Sequence, residues 1–187
     1  MANRYPGVFL DRDGTINMPP PPGGYVLRGE DFRFIPGVIE ALARLRADGC
    51  RLALATNQRC IARGLCTHTD VESIHTRMQR ELATREAQLD LIQFCPHAED
   101  DHPDRKPNPG MIERGIRVLE LDRRRCVMVG DDTRDIQVGQ AADIATVLVT
   151  GQCHAEALPA ALAAGADFVC EDLPSAVDWI VARTGAD

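Results

Sequence analysis

Six short apolar runs, separated by segments of helical period, place the strongest constraint on how this chain can fold. The runs are 8–10 (VFL), 51–57 (RLALATN), 91–95 (LIQFC), 125–131 (RCVMVGD), 144–150 (IATVLVT) and 167–170 (DFVC). Each has the length and branched-residue content of a strand buried on both faces. Between them Val38, Ile39, Leu42 and Leu45 recur at helical spacing, as do Val71, Ile74, Met78 and Leu82. A capping box from Thr69 to Glu72 is expected ahead of the second set. Pro109 suits the first position of a further helix carrying Met111, Ile112, Ile116 and Leu119. Weaker helical segments cover 133–142, 155–164 and 174–183. Strands alternating with helices imply right-handed crossovers and a parallel sheet covered on both sides. The expected fold class is therefore α/β: one doubly wound, Rossmann-like domain over 1–187 with a central parallel sheet.

A chain of 187 residues suffices for one such core, and its 44% hydrophobic and 26% charged content is ordinary for a globular domain. The net charge of −7 argues against nucleic acid or an anionic membrane surface as a partner. No run approaches the ~18 apolar residues of a membrane span. The N-terminal segment lacks the pattern of a secretory signal. The seven cysteines are odd in number and scattered, most of them within apolar runs. A reducing, cytoplasmic setting is expected, with the chain acting as a monomer.

Ligands of open α/β sheets collect at the carboxyl ends of the strands. The polar interruptions of the pattern fall there: Asp11 and Asp13 after the first strand, Thr56 and Asn57 after the second, Asp131 and Asp132 after the fourth. Arg105 and Lys106 follow the third. A carboxylate at Asp11 can attack phosphorus and form an aspartyl-phosphate. Asp13 can protonate the leaving oxygen and then activate water. Asp11 with Asp131 can hold Mg²⁺, a hard ion that favours oxygen. Lys106 and Thr56 can offset phosphate charge. Read alone, Asp-Arg-Asp-Gly-Thr (11–15) is a surface turn; its place after an apolar strand, with TNQ, RKP and GDD at later strand ends, favours the chemical reading. It does not fit an EF-hand, whose glycine stands at loop position six.

FLDRDGTIN (9–17), ATNQ (55–58), RKPNPGM (105–111) and VGDDTRD (129–135), in this order, resemble the four motifs of the haloacid dehalogenase superfamily of phosphatases. With GY (24–25), FRFIPGV (32–38), IARG (61–64) and CPH (95–97), the chain is similar to the heptose 1,7-bisphosphate phosphatases, close to the histidinol-phosphate phosphatases. The resemblance implies a Mg²⁺-dependent phosphatase without a large cap domain, acting on a small phosphorylated metabolite. It implies Asp11 as nucleophile, Asp13 as general acid/base, and Mg²⁺ held by Asp11, the Asp13 carbonyl and Asp131. Thr56 and Lys106 would bind phosphate beside Asn57, Arg105 would hold the substrate, and Asp135 would support the metal or Lys106 from behind. The loop 17–30 and segments 59–66 and 95–105 would shape the entrance. A phospho-accepting receiver domain shares this inventory of groups, but there the accepting aspartate follows the third strand.

Three positions depart from the family pattern. Zinc-holding heptose phosphatases carry Cys-x-His and Cys-x-Cys; here Cys95 and His97 are followed by His102 and Asp104, which leaves either a Cys-His-His-Asp zinc site or a metal-free loop. Asp132 replaces a lysine. Arg59 and Cys60 replace small residues, so that Arg59 or Arg63 can meet a second anionic group, with a solvated surface position the expectation for Arg59. His68, His75 and His154 have no ligand-spaced partners and read as solvated or capping residues. Trp179 is expected to pack the last helix.

Overall fold

A computed structural model describes residues 5–182; residues 1–4 and the predicted helix end at Arg183 lie outside the described residues. Six parallel strands run β1 (Gly7–Leu10), β2 (Arg51–Asn57), β3 (Leu91–Cys95), β4 (Cys126–Gly130), β5 (Ala145–Val149) and β6 (Phe168–Cys170). They lie in the order β3-β2-β1-β4-β5-β6. The helices are α1 (Val38–Ala47), α2 (His68–Ala83), α3 (Gly110–Val118), α4 (Thr133–Ala141), α5 (Leu158–Ala163) and α6 (Leu173–Ala182).

Side chains alternate across a strand, so each central strand feeds two cores. Val8, Leu10, Leu52, Leu54, Val127 and Val129 face one layer, packed with Leu42 and Leu45 of α1, Ile74 and Met78 of α2, and Val177 and Ile180 of α6. Phe9, Ala53, Ala55, Cys126 and Met128 face the other, with Met111 and Ile112 of α3 and Val138 of α4. Leu148, Ile136 and Ala161 extend that second layer under α5. Trp179 of α6 stacks between Tyr5 and Phe168, at centroid distances of 5.5 and 5.1 Å. No described helix is long and apolar enough to cross a membrane.

Two helix starts differ from expectation. The capping box of α2 is Thr67 with Asp70, not Thr69 with Glu72: the Asp70 N–H donates to Thr67 Oγ1 at 3.2 Å and Asp70 Oδ2 accepts from the Thr67 N–H at 2.8 Å. Thr67 is extended, at φ −98° and ψ 168°, which turns its hydroxyl toward the orphan amides. Pro109 caps α3 from outside rather than occupying its first turn.

The chain runs outward from β1 to β3 and then returns to lay β4 beside β1. The winding reverses at that β1–β4 boundary, and loops leaving the two strands diverge above a crevice.

Candidate active site

The crevice is built from the ends of β1 and β4. The Asp11 amide donates to the Val129 carbonyl at 3.0 Å, carrying the ladder one residue past β1 and fixing the Asp11 backbone. Gly14 then turns with φ +87°, and a Cβ there would lie 2.1 Å from Asp131 Oδ2. Only glycine lets the first loop press this closely on the carboxylate of the fourth. At the end of β4, Asp132 caps α4, accepting from the Arg134 amide at 2.9 Å while its own N–H donates to Asp135 Oδ2 at 3.0 Å. This second capping box, unforeseen from the sequence, leaves Asp135 Oδ1 to face the crevice.

Lys106 supplies the cation. Its Nζ donates to Asp11 Oδ1 at 2.7 Å and to Asp135 Oδ1 at 2.6 Å, and its side chain is only 4% exposed. Asn57 positions it by a reciprocal pair: Asn57 Nδ2 donates to the Lys106 carbonyl at 2.9 Å and Asn57 Oδ1 accepts from the Lys106 amide at 3.0 Å. Asn57 thus orients the lysine backbone as well as lining the cavity. Burial opposes a charged lysine, but Asp11 and Asp135 outweigh it and raise its pKa.

Ligand oxygens of Asp11, Asp131 and Asp135 lie within 4.8 Å of one another. The cluster sets three carboxyl groups against the single ammonium of Lys106. Burial, with Asp11 and Asp135 adding to it, pushes Asp131 well above the usual carboxylate range, and burial and Asp11 push Asp135 up in spite of Lys106. Asp135, expected to act from behind, stands as close to the cluster as the other two.

Asp13 turns its carboxylate onto five N–H contacts. Arg12 Nη2 donates to both oxygens at 3.0 and 2.9 Å and Arg12 Nε to Oδ1 at 3.3 Å. Asn17 Nδ2 donates to Oδ1 at 2.9 Å and Gln58 Nε2 to Oδ2 at 3.1 Å. Burial alone would raise its pKa; the Arg12 charge and these donors reverse the sign and lower it. Gln58 Nε2 also donates to Thr56 Oγ1 at 3.1 Å, which leaves the threonine proton to point elsewhere. Arg12, Gln58 and His75 were missed in the sequence. His75, expected to be solvated, is buried against Arg12, with Nε2 3.4 Å from Arg12 Nη1. Burial, then Arg12, lowers its pKa to about 3.

A cavity of about 400 Å³ opens above these groups, lined also by Pro19, Tyr25, Arg63, Arg105 and His154. Arg59, expected at the solvated surface, is half-buried and lines it too, because its Nε reaches the Tyr25 hydroxyl at 3.4 Å. Arg63 lies over the Tyr25 ring, 5.7 Å from its centroid. His154 is exposed at the rim, and His68 is exposed beside Phe94. Arg105 donates to Asp100 at 3.0 Å and to the His97 carbonyl at 3.2 Å, bracing the third entrance segment.

In the Cys95, His97, His102 and Asp104 set, Cys95 Sγ lies 3.9 Å from His102 Nδ1, but no three of the four gather their ligand atoms within 4.8 Å of one another. Asp104 is held by Arg114 through two contacts of 2.6 Å, and His102 Nδ1 accepts from the Asp104 amide at 3.2 Å. The His97 and His102 rings stack on each other at 3.8 Å. Among the described residues, the Asp11–Asp131–Asp135 cluster alone gathers three metal-competent side chains.

A family model described as HAD-hydrolase-like matches residues 104–176. The D-glycero-beta-D-manno-heptose-1,7-bisphosphate 7-phosphatase of Salmonella typhi is 41% identical, covering 95% of this chain and 97% of that protein. The chain belongs to the haloacid dehalogenase-like phosphatases. The D-glycero-D-manno-heptose-1,7-bisphosphate 7-phosphatase of Chlorobaculum tepidum is 38% identical over 91% of each chain. The crystal structure of D,D-heptose 1,7-bisphosphate phosphatase from B. bronchiseptica, complexed with magnesium and phosphate, superimposes with a TM-score of 0.84 at 34% identity, covering 95% of this chain and 99% of that one. The hard oxygen donors of the Asp11–Asp131–Asp135 cluster fit a divalent cation such as Mg²⁺. The receiver arrangement needs an accepting aspartate at the end of the third strand, where this phosphatase has Cys95 followed by Pro96.

Proposed function

We propose that this site hydrolyses the 7-phosphate of a D-glycero-D-manno-heptose 1,7-bisphosphate through an aspartyl-phosphate on Asp11. The observation that carries the reading is the Lys106 bridge between Asp11 and Asp135, with Asp131 in the same cluster. One Asp11 oxygen attacks phosphorus while the bond from phosphorus to the sugar oxygen breaks. Arg12 holds Asp13 ionised in the free site, and the charge of a bound phosphate favours its protonated form; Asp13 then gives that proton to the departing oxygen and takes one from the water that cleaves the aspartyl-phosphate. Lys106 and the Thr56 hydroxyl face the charge that gathers on the phosphoryl oxygens. Asp11, Asp131 and Asp135, with the Asp13 carbonyl, would hold Mg²⁺, which would supply positive charge for the phosphoryl oxygens.

The entrance arginines favour a bisphosphate over histidinol phosphate. Arg59 and Arg63, gathered at Tyr25, attract a second phosphate and repel the ammonium group of histidinol phosphate. The test is phosphate release from a panel of sugar mono- and bisphosphates and histidinol phosphate with Mg²⁺. Asp11→Asn removes turnover of every substrate, with the heptose bisphosphate giving the highest wild-type kcat/KM. Equal turnover by the variant and the wild type sinks the nucleophile assignment, and a preference for histidinol phosphate sinks the substrate assignment.

A further inference from the structure

Arg12 has the largest side chain among the fully buried residues, and the reaction steps leave it without a task. A guanidinium carries N–H donors only, so its approach to His75 Nε2 at 3.4 Å is attractive when that nitrogen is a bare acceptor. The ring is then neutral with its proton on Nδ1, a buried atom that has no partner among the described residues. His75 sits on α2, and its ring meets Phe94 of β3 at 5.5 Å and 60°. The contacts therefore form a chain from α2 through His75 and Arg12 to both oxygens of Asp13.

We propose that Arg12 and His75 are positioning residues: His75 orients the Arg12 guanidinium, and Arg12 sets the plane of the Asp13 carboxylate that delivers the proton. A two-pronged contact defines that plane where a single donor leaves it free to rotate. Proton transfer depends steeply on such alignment. The inference rests on the reading of Asp13 as the acid/base.

The leaving group separates positioning from mere structural support. A sugar alkoxide needs the proton as it departs, whereas p-nitrophenolate leaves without it. The readout is kcat/KM for the sugar phosphate divided by kcat/KM for p-nitrophenyl phosphate. Measured in one preparation, this ratio does not change with the fraction of protein that is folded. Asp13→Asn lowers the ratio by roughly 100-fold or more, the usual worth of a placed acid. His75→Phe and Arg12→Lys each lower it about 10-fold, a partial loss of the same effect, and His75→Gln, which keeps an acceptor, recovers most of it. An unchanged ratio in His75→Phe and Arg12→Lys overturns the positioning roles. So does equal loss on both substrates, complete loss included, or a His75→Gln ratio as low as that of His75→Phe. An unchanged ratio in Asp13→Asn overturns the reading of Asp13 instead.

Discussion

Gly14 shows how far a single residue determines this site. Its positive φ and the 2.1 Å that would separate an added Cβ from Asp131 Oδ2 leave no room for a side chain. Gly14→Ala is therefore expected to displace the Asp131 carboxylate and lower kcat by more than 10-fold, on the order of the loss a misplaced group causes. The left-handed backbone adds about 1 kcal/mol of destabilisation. Steady-state kinetics with a urea melt checks both, and a fully active variant shows that the loop yields without cost. At this scale the sequence was informative where chemistry sits at a strand end. Asp11, Asp13, Thr56 and Asp131 interrupt or end apolar runs, Lys106 stands in the loop after the third, and all line one cavity. Arg12 and His75 were opaque because the contact between them spans 63 positions and a buried cation shows itself only through its partners. Arg59 was misplaced for the same reason: Tyr25, which draws it inward, lies 34 positions earlier.

At the scale of elements, the period of the apolar residues located strands and helices because each central strand packs on both faces. Helix starts were less legible. Thr67 and Thr69 offer the same hydroxyl chemistry, and only the extended backbone at Thr67 decides between them. Helix α2 also carries a pH dependence through His75, whose pKa falls from 6.5 to about 3 on folding. A depressed histidine binds its proton in the unfolded chain first, so its contribution is complete above pH 6.5 and is lost as pH falls toward 3. Between pH 6.5 and 5.5 the wild type should lose about 1 kcal/mol more stability than His75→Phe, read from urea unfolding. Parallel curves for the two proteins would mean that the ring is not held neutral.

For the whole molecule, the sheet order brings together like charges that folding alone would keep apart. The raised pKa of Asp131 means that its ionised form opposes folding, with burial the main cause. Asp131→Asn should therefore raise the melting temperature in EDTA and abolish phosphatase activity. Mg²⁺ at 100 times its dissociation constant should stabilise the wild type by about 2.7 kcal/mol, and the variant by far less. Thermal melts with and without Mg²⁺ decide this; an equal Mg²⁺ increment in both proteins removes Asp131 from the metal site. The double winding was readable from the βα alternation, whereas the crowding of three carboxyl groups around one lysine needed the three-dimensional assembly.

The place of β4 has a consequence for how the protein is made. Its neighbour β1 is translated more than a hundred residues earlier, and β2 can cover only one of its edges. Until residues 126–130 leave the ribosome, the other edge of the first strand stays open and needs protection from stray pairing. A product terminated just before that point would carry Asp11 and Lys106 yet lack two of the three clustered carboxylates.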